Sequence, residues 1–224
     1  ASVSILITIG IVASLLGETL AFFQADAVTV KDFLTGSEWS PLFADPQFGV
    51  RPLLQGTLII SAIGLLVAIP LGIGTAVYLS EYAPRRVRAF VKPTLELLAG
   101  VPTVVFGYFA LTFFTPNILN GLFNLDVTVF NGLAGGIIVG IMIIPTIASV
   151  AEDAMTAVPH ALREGAFGLG ASKRQVSTRV VVPAALSGIV AAIVLGASRA
   201  VGETMIVLIA AGQVPTTSLD PRNP

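Results

Sequence analysis

The chain has 224 residues, of which 54% are hydrophobic and only 11% charged, and its mean hydropathy is +0.90. Soluble domains typically carry about 25% charged residues, so this composition excludes an ordinary soluble protein and indicates a membrane protein. The formal net charge is −1, which gives no overall basic field that would favour nucleic acid as a partner. Cysteine is absent, so disulfides and thiolate metal sites are excluded.

Apolar stretches along the chain predict five transmembrane helices. A helix needs about 20 predominantly apolar residues to cross a bilayer. The stretches that qualify are 1–23, 56–80, 95–115, 130–151 and 184–212. The interval 116–129 separates the third from the fourth, because its prolines, asparagines and glycines are typical of a turn. The first stretch has neither a basic leader nor a small-residue cleavage site, which favours a true span over a signal peptide.

The positions of the cations predict the orientation. Lys and Arg close to span ends stay on the cytoplasmic side of a membrane. Eight of the twelve cations fall in the two segments 81–94 and 152–183: Arg85, Arg86, Arg88, Lys92, Arg163, Lys173, Arg174 and Arg179. The segments between the other spans, with the tail, carry Lys31, Arg51 and Arg222, whereas Arg199 lies within the last span. Segments 81–94 and 152–183 are therefore predicted to be cytoplasmic.

Local signals in the segment 152–183 predict two short helices. Pro159 can begin the first helix, since a proline in the first turn loses no helical hydrogen bond. A glycine such as Gly170 can end that helix in a left-handed turn. Ser172 followed by Gln175 fits a capping box at the start of the second helix, and Pro183 marks where this helix bends toward the membrane.

Lys173 and Arg174 would lie in the first turn of that second helix, where positive charge opposes the helix dipole. This cost favours an external partner that compensates the two cations. From the residues alone, a second explanation has equal weight: the cations hold the loop inside the cell or contact anionic lipid.

One pattern in this segment combines an acidic residue, two small residues, a glycine and a final proline at fixed intervals: Glu164, Gly165, Ala166, Gly170 and Val180 to Pro183. It resembles the EAA motif of ABC-importer permeases, in which EAA, three residues, glycine and nine residues precede Ile-x-Leu-Pro. Gly165 replaces the usual alanine, and valines replace the isoleucine and leucine. We therefore refer to 152–183 as the EAA loop.

The resemblance implies that the EAA loop seats in a separate ATP-hydrolysing subunit. The residues that it implicates in this coupling are Glu164, Gly165, Ala166, Gly170, Lys173, Arg174 and Pro183. The chain itself is then a transport subunit rather than an enzyme. It holds no cofactor, and ATP and magnesium are expected on the partner ATPase. In agreement, "GAFGLGAS" at 165–172 lacks the lysine that a phosphate-binding loop needs.

Segments 33–41, 52–84, 96–107 and 196–205 resemble the C-type permease subunits of high-affinity phosphate ABC transporters. The resemblance implies an all-α, MetI-like type I importer core in the bacterial inner (plasma) membrane. It also implies a second permease subunit and an extracytoplasmic phosphate-binding protein as partners. That family has six spans in its core, so we expect that a sixth span is missing or that the count of five is wrong.

Arg199 and Glu203 are the candidate substrate residues, because a charge in the hydrocarbon is costly and marks a functional position by default. Four residues apart on a continuous helix, they would share one face and pair. The guanidinium fork suits phosphate oxygens. Glu203 would hold that fork or accept a proton from hydrogen phosphate; alternatively, the pair is structural. Pro102, which interrupts a span, is a candidate hinge or pathway residue.

Two other functions remain open from the sequence. One is an ion channel or secondary transporter in which Arg199 and Glu203 form a charge relay. The other is an ABC-importer permease for a different oxyanion.

Overall fold

A computed structural model of the chain describes residues 2–24, 28–213 and 218–222. The described residues are predominantly helical, in agreement with the predicted all-α class. Backbone contacts divide the chain into two compact units, residues 1–56 with 215–217 and residues 57–214 with 218–224. The boundary falls inside one long helix, and each unit is described by itself.

The first unit contains helix α1 (Ser2–Gln24), the short helix α2 (Val30–Thr35) and a two-stranded antiparallel hairpin. In the hairpin, β1 (Trp39–Ser40) pairs with β2 (Gln47–Phe48), so that Trp39 lies opposite Phe48. Aromatic rings from these elements pack edge to face. The ring centroid of Phe22 lies 6.0 Å from that of Phe33 and 5.3 Å from that of Phe48. This cluster supplies the apolar packing of a segment that is otherwise largely exposed.

The second unit carries most of the helices. Helix α3 (Arg51–Val77) enters it at residue 57 and continues as a π-helical turn, Tyr78–Tyr82. After it come α4 (Arg85–Ala99), α5 (Thr103–Phe109) with its π-helical continuation Ala110–Leu122, and α6 (Gly132–Thr156). The remaining helices are α7 (His160–Gly168), α8 (Lys173–Val176) with the π-helical turn Ser177–Val181, α9 (Val182–Ala184), α10 (Leu186–Val201) and α11 (Met205–Ala210).

Helix α6 forms the centre of this unit. Its buried side chains include Ile138, Met142, Ile143 and Ile147, which are at most 1% exposed. Glycines let α3 approach closely: a Cβ at Gly136 would lie 2.7 Å from the side chain of Ile63. The small residues of this stretch therefore serve close helix packing, as expected for membrane helices.

Three described helical runs are long and apolar enough to cross a membrane: Val3–Gln24, Arg51–Tyr82 and Gly132–Thr156. Two further spans result if each of two bent helix pairs is counted as one. The prediction of five spans agrees with that upper count, but the bounds differ. The run Arg51–Tyr82 extends beyond the predicted 56–80 at both ends, and the run Gly132–Thr156 ends after the predicted 130–151, so that Glu152 and Asp153 belong to α6.

The predicted span 95–115 is broken at Pro102, the residue expected to interrupt it, and the helix before the break begins earlier than predicted, at Arg85. α4 ends at Ala99, and the helical run Thr103–Leu122 leaves it at an angle of 89°. Gly100 is the C-cap of α4, and Pro102 is the N-cap of α5 with a non-helical backbone (ψ 132°). The break arises because a residue before proline is disfavoured in the helical region.

The expected span 184–212 is also interrupted. A bend of 70° separates the helices Lys173–Ala184 and Leu186–Val201, close to the predicted bend at Pro183. A second break falls between α10 and α11, at residues 202–204. Arg199 and Glu203 therefore lie on opposite sides of a helix terminus.

Candidate functional site: the EAA loop and the Arg199 region

The EAA loop folds as two short helices, as its sequence predicts. Pro159 precedes the first residue of α7, and Gly170 adopts a left-handed conformation (φ +82°) between α7 and α8. At the start of α8 the Ser172 hydroxyl accepts a bond from the Gln175 amide, while the Gln175 side chain accepts one from the Ser172 amide at 2.8 Å. The predicted capping box is confirmed.

The motif residues of the loop are mostly accessible. Exposed side chains or glycines occur at Glu164, Gly165, Gly170, Lys173, Arg174 and Pro183, whereas Ala166 is half-buried. The structure adds apolar residues that the sequence analysis did not single out. Leu162, Phe167 and Leu169 are 49%, 48% and 92% exposed. Both charged and apolar groups of the EAA loop are thus accessible.

Arg163 anchors this loop to the ends of two long helices. Its guanidinium donates to the Glu81 carboxylate at 3.0 Å and to the Met155 carbonyl at 2.7 Å, and it also donates to the Val158 carbonyl. Both charged side chains are nearly buried, 12% exposed for Arg163 and 8% for Glu81. Arg163 therefore satisfies the last carbonyls of α6 and ties them to the end of α3.

A second group of charges surrounds Glu152, whose side chain is 1% exposed. One of its oxygens accepts from Arg88, and the other accepts from Lys92 at 2.8 Å. Lys92 also donates to the exposed Asp153 at 2.6 Å. The bonds to Asp153 and Glu152 raise the pKa of the Lys92 ammonium above its ordinary value.

Arg199 has different partners from those predicted. Its guanidinium donates to the Thr146 hydroxyl at 3.1 Å and to the Ala99 carbonyl at 3.2 Å. Among the described residues no carboxylate lies within ion-pair distance of it. The expected pair with Glu203 on one helix face is wrong.

Glu203 instead caps the helix that follows. One of its carboxylate oxygens accepts from the amides of Met205 and Ile206, at 3.0 and 3.1 Å. The physical reason is that α10 ends at Val201, with Gly202 as its C-cap, so the spacing of four residues crosses a helix break rather than one helical turn. Carboxylates are favourable at such helix starts, where free amides and the dipole attract negative charge.

Arg199 contacts the chain close to Pro102. The carbonyl that accepts its hydrogen bond belongs to Ala99, three residues before Pro102. The structure thus brings Arg199 to the break between α4 and α5. Across residues 2–24, 28–213 and 218–222, no group of three His, Asp or Glu side chains is arranged as metal ligands.

Comparison with known proteins identifies the family. Residues 68–223 match the model of the binding-protein-dependent transport system inner membrane component family. The chain belongs to this family. It is therefore a multi-pass inner membrane protein, and the predicted resemblance is confirmed.

Individual relatives agree with this assignment. The chain is 39% identical over 212 residues to the probable ABC transporter permease protein YqgH of Bacillus subtilis, covering 95% of this chain and 66% of that protein. It is 36% identical to the phosphate transport system permease protein PstC of Mesorhizobium japonicum, covering 80% and 60% of the two chains. The PstC protein of Haemophilus influenzae is 34% identical, with coverage of 84% and 66%. The chain thus spans 60–66% of the length of these curated relatives.

A solved structure shares the fold. The inward-facing MetNI methionine ABC transporter superimposes with a TM-score of 0.54 at 22% identity, covering 69% of this chain and 68% of that chain. The MetI-like helical membrane core is thereby confirmed.

Proposed function

We propose that the chain is a permease subunit of an ATP-driven importer of inorganic phosphate. Relatives named as phosphate transport permeases support the substrate. The observation that carries the proposal is the half-buried Arg199, whose described partners are a hydroxyl and a carbonyl rather than a carboxylate. Its positive charge remains uncompensated and is available to an anion.

Glu203 has a separate role in this proposal. Its oxygen Oε1 is used by the amides of Met205 and Ile206. Its second oxygen accepts a hydrogen bond from the hydroxyl of hydrogen phosphate, a donor that sulfate does not have at neutral pH. A site with an acceptor placed for a substrate hydroxyl rejects an analogue that lacks this hydroxyl. In the variant Glu203→Gln, the side-chain oxygen can still cap α11, but we expect sulfate to become a better competitor.

The partners follow from the same proposal. The EAA loop docks on a separate ATP-hydrolysing subunit, with Glu164, Lys173 and Arg174 as polar contacts. The apolar Phe167 and Leu169 supply buried area at that interface. A second permease subunit and an extracytoplasmic phosphate-binding protein complete the transporter, and ATP with magnesium binds to the ATPase.

The test is phosphate uptake into proteoliposomes that contain the chain with these partners. We expect uptake of labelled phosphate that requires ATP hydrolysis and the binding protein, and that persists in excess sulfate. Uptake driven by an ion gradient without ATP would contradict the proposal and favour a secondary transporter. ATP-dependent uptake in which sulfate competes equally would leave the importer but overturn the substrate.

A further inference from the structure

The buried Glu152 lies at the end of α6, where the EAA loop begins. It binds Arg88 and Lys92 of α4, one cation to each carboxylate oxygen. The partners are 64 and 60 residues away along the chain. The interaction therefore fixes the relative position of two helices rather than the local shape of one.

The position of α4 depends on such polar contacts. None of its fifteen residues is fully buried, so apolar packing holds the helix only weakly. At its C-terminal end the chain turns through 89° into the next helical run, so α5 does not continue the α4 axis. Glu152, whose side chain is 1% exposed, therefore provides an enclosed polar contact between α4 and the core helix α6.

The other end of α4 reaches Arg199. The carbonyl of Ala99, the last residue of α4, accepts one bond from Arg199, and Thr146 of α6 accepts the other. Thr146 lies about 9 Å along α6 from Glu152, and Ala99 lies about 10 Å along α4 from Lys92, at 1.5 Å per residue. Glu152 joins α4 to α6 at one end, and Arg199 bonds to both helices at the other end. We call the two helix segments with these two side chains the frame.

We propose that Glu152 is a positioning residue that, through α4, sets the place of the Arg199 guanidinium. The inference rests on the proposed role of Arg199 in anion transport. Because Glu152 is also at the base of the EAA loop, motion that this loop receives reaches Arg199 along α4 as well as along α6. A shift of α4 moves the Ala99 carbonyl relative to Thr146, so the two acceptors no longer hold the guanidinium together.

The experiment measures the frame and transport in the same assembled transporter. The 224 residues contain no cysteine, so spin labels can be attached at Leu97→Cys on α4 and Leu195→Cys on α10. These side chains are 76% and 49% exposed. In the variant Glu152→Gln, we expect a broader distance distribution between the labels and phosphate uptake lower by about tenfold. The ATPase should remain bound to the complex.

Asp153→Asn is the matched control. It removes the same charge from the neighbouring residue, which is also a Lys92 partner but is 64% exposed. We expect this variant to keep the label distances and uptake of the parent protein. A control that broadens the distances as much as Glu152→Gln would overturn the role of Glu152, because general loss of negative charge would then explain both results.

A second variant covers the case in which Glu152→Gln does not accumulate. Glu152→Asp keeps the charge but shortens the side chain by one methylene, so it cannot span both cations equally. We expect intermediate broadening and an intermediate loss of uptake. Unchanged label distances in an assembled Glu152 variant would overturn the inference. Normal uptake in Arg199→Lys would instead count against the proposed function, whatever the labels show.

Discussion

The end of the helical unit near the EAA loop and the region around Arg199 differ in the partners of their charged side chains. Near the loop, buried carboxylates meet cations: Glu152 binds Arg88 and Lys92, and Glu81 binds Arg163. Around Arg199 the described partners are neutral oxygens, from Thr146 and Ala99.

This difference separates structural cations from an available one. A buried cation that is fully paired contributes to the folded state mainly because its removal leaves its partner charged and unpaired. A cation held by dipoles alone keeps most of its field for another anion. Substitutions of the paired cations near the loop should therefore reduce stability, whereas substitutions at Arg199 should reduce transport.

The largest effect is expected for Arg199→Gln. Two charge-assisted bonds to a phosphate contribute enough that their loss lowers uptake by roughly 100-fold or more. Because no carboxylate loses its partner, the amount of folded protein should stay close to that of the parent. Uptake per assembled complex, together with folded yield, provides the measurement. Lost yield with normal uptake per complex would place Arg199 among the structural cations.

Arg163→Ala tests the second half of the comparison, the contribution of a paired cation near the loop to stability. It leaves Glu81 buried and also removes the donors to two carbonyls at the end of α6. Breaking a buried pair in this way costs about 3–5 kcal/mol of unfolding free energy. Denaturation of the purified chain in detergent would measure this loss. The control is Arg179→Ala in the same loop, an exposed position expected to change stability by less than about 0.5 kcal/mol.

Gly170→Ala tests whether the turn of the EAA loop matters without changing any charge. An alanine at φ +82° is disfavoured by about 1–2 kcal/mol, so the angle between α7 and α8 should relax. We expect weaker co-purification of the ATPase. Gly168→Ala, which lies in α7 and meets nothing within 4 Å, is the matched substitution and should not weaken it. Equal co-purification of the ATPase with both variants would show that the turn at Gly170 does not affect ATPase binding.

The smallest effect is expected for Gly165→Ala, which introduces the residue usual in the EAA motif. A Cβ there meets nothing within 4 Å, and α7 is helical at this position. Alanine should raise the free energy of unfolding by up to about 1 kcal/mol. A lower free energy of unfolding for Gly165→Ala in a denaturation experiment would show that glycine is required at this position by interactions other than the described contacts.

The features of the EAA loop could be predicted because their causes are local. The start of α7 after Pro159, the left-handed Gly170 and the box between Ser172 and Gln175 each depend on residues within a few positions. The long apolar stretches likewise predicted helices, since composition alone decides where a membrane helix can form.

The Arg199 region could not be predicted in the same way. The assumption of one continuous helix failed at Gly202, although a glycine followed by Glu203 and Thr204 is a combination that can end one helix and begin the next. The contacts of Glu152 with α4 depend on tertiary packing across 60 residues or more. No spacing rule links such residues, because their proximity is set by how α4 lies on α6.

Phosphate uptake by Arg199→Lys tests the central claim most directly. Lysine keeps the positive charge but replaces the planar fork by a single ammonium group, which cannot bind two phosphate oxygens in the same geometry. We expect uptake at least about tenfold below that of the parent complex, in protein that folds and retains ATPase binding. Uptake equal to that of the parent at the same amount of assembled complex would contradict a direct contact between Arg199 and the transported anion.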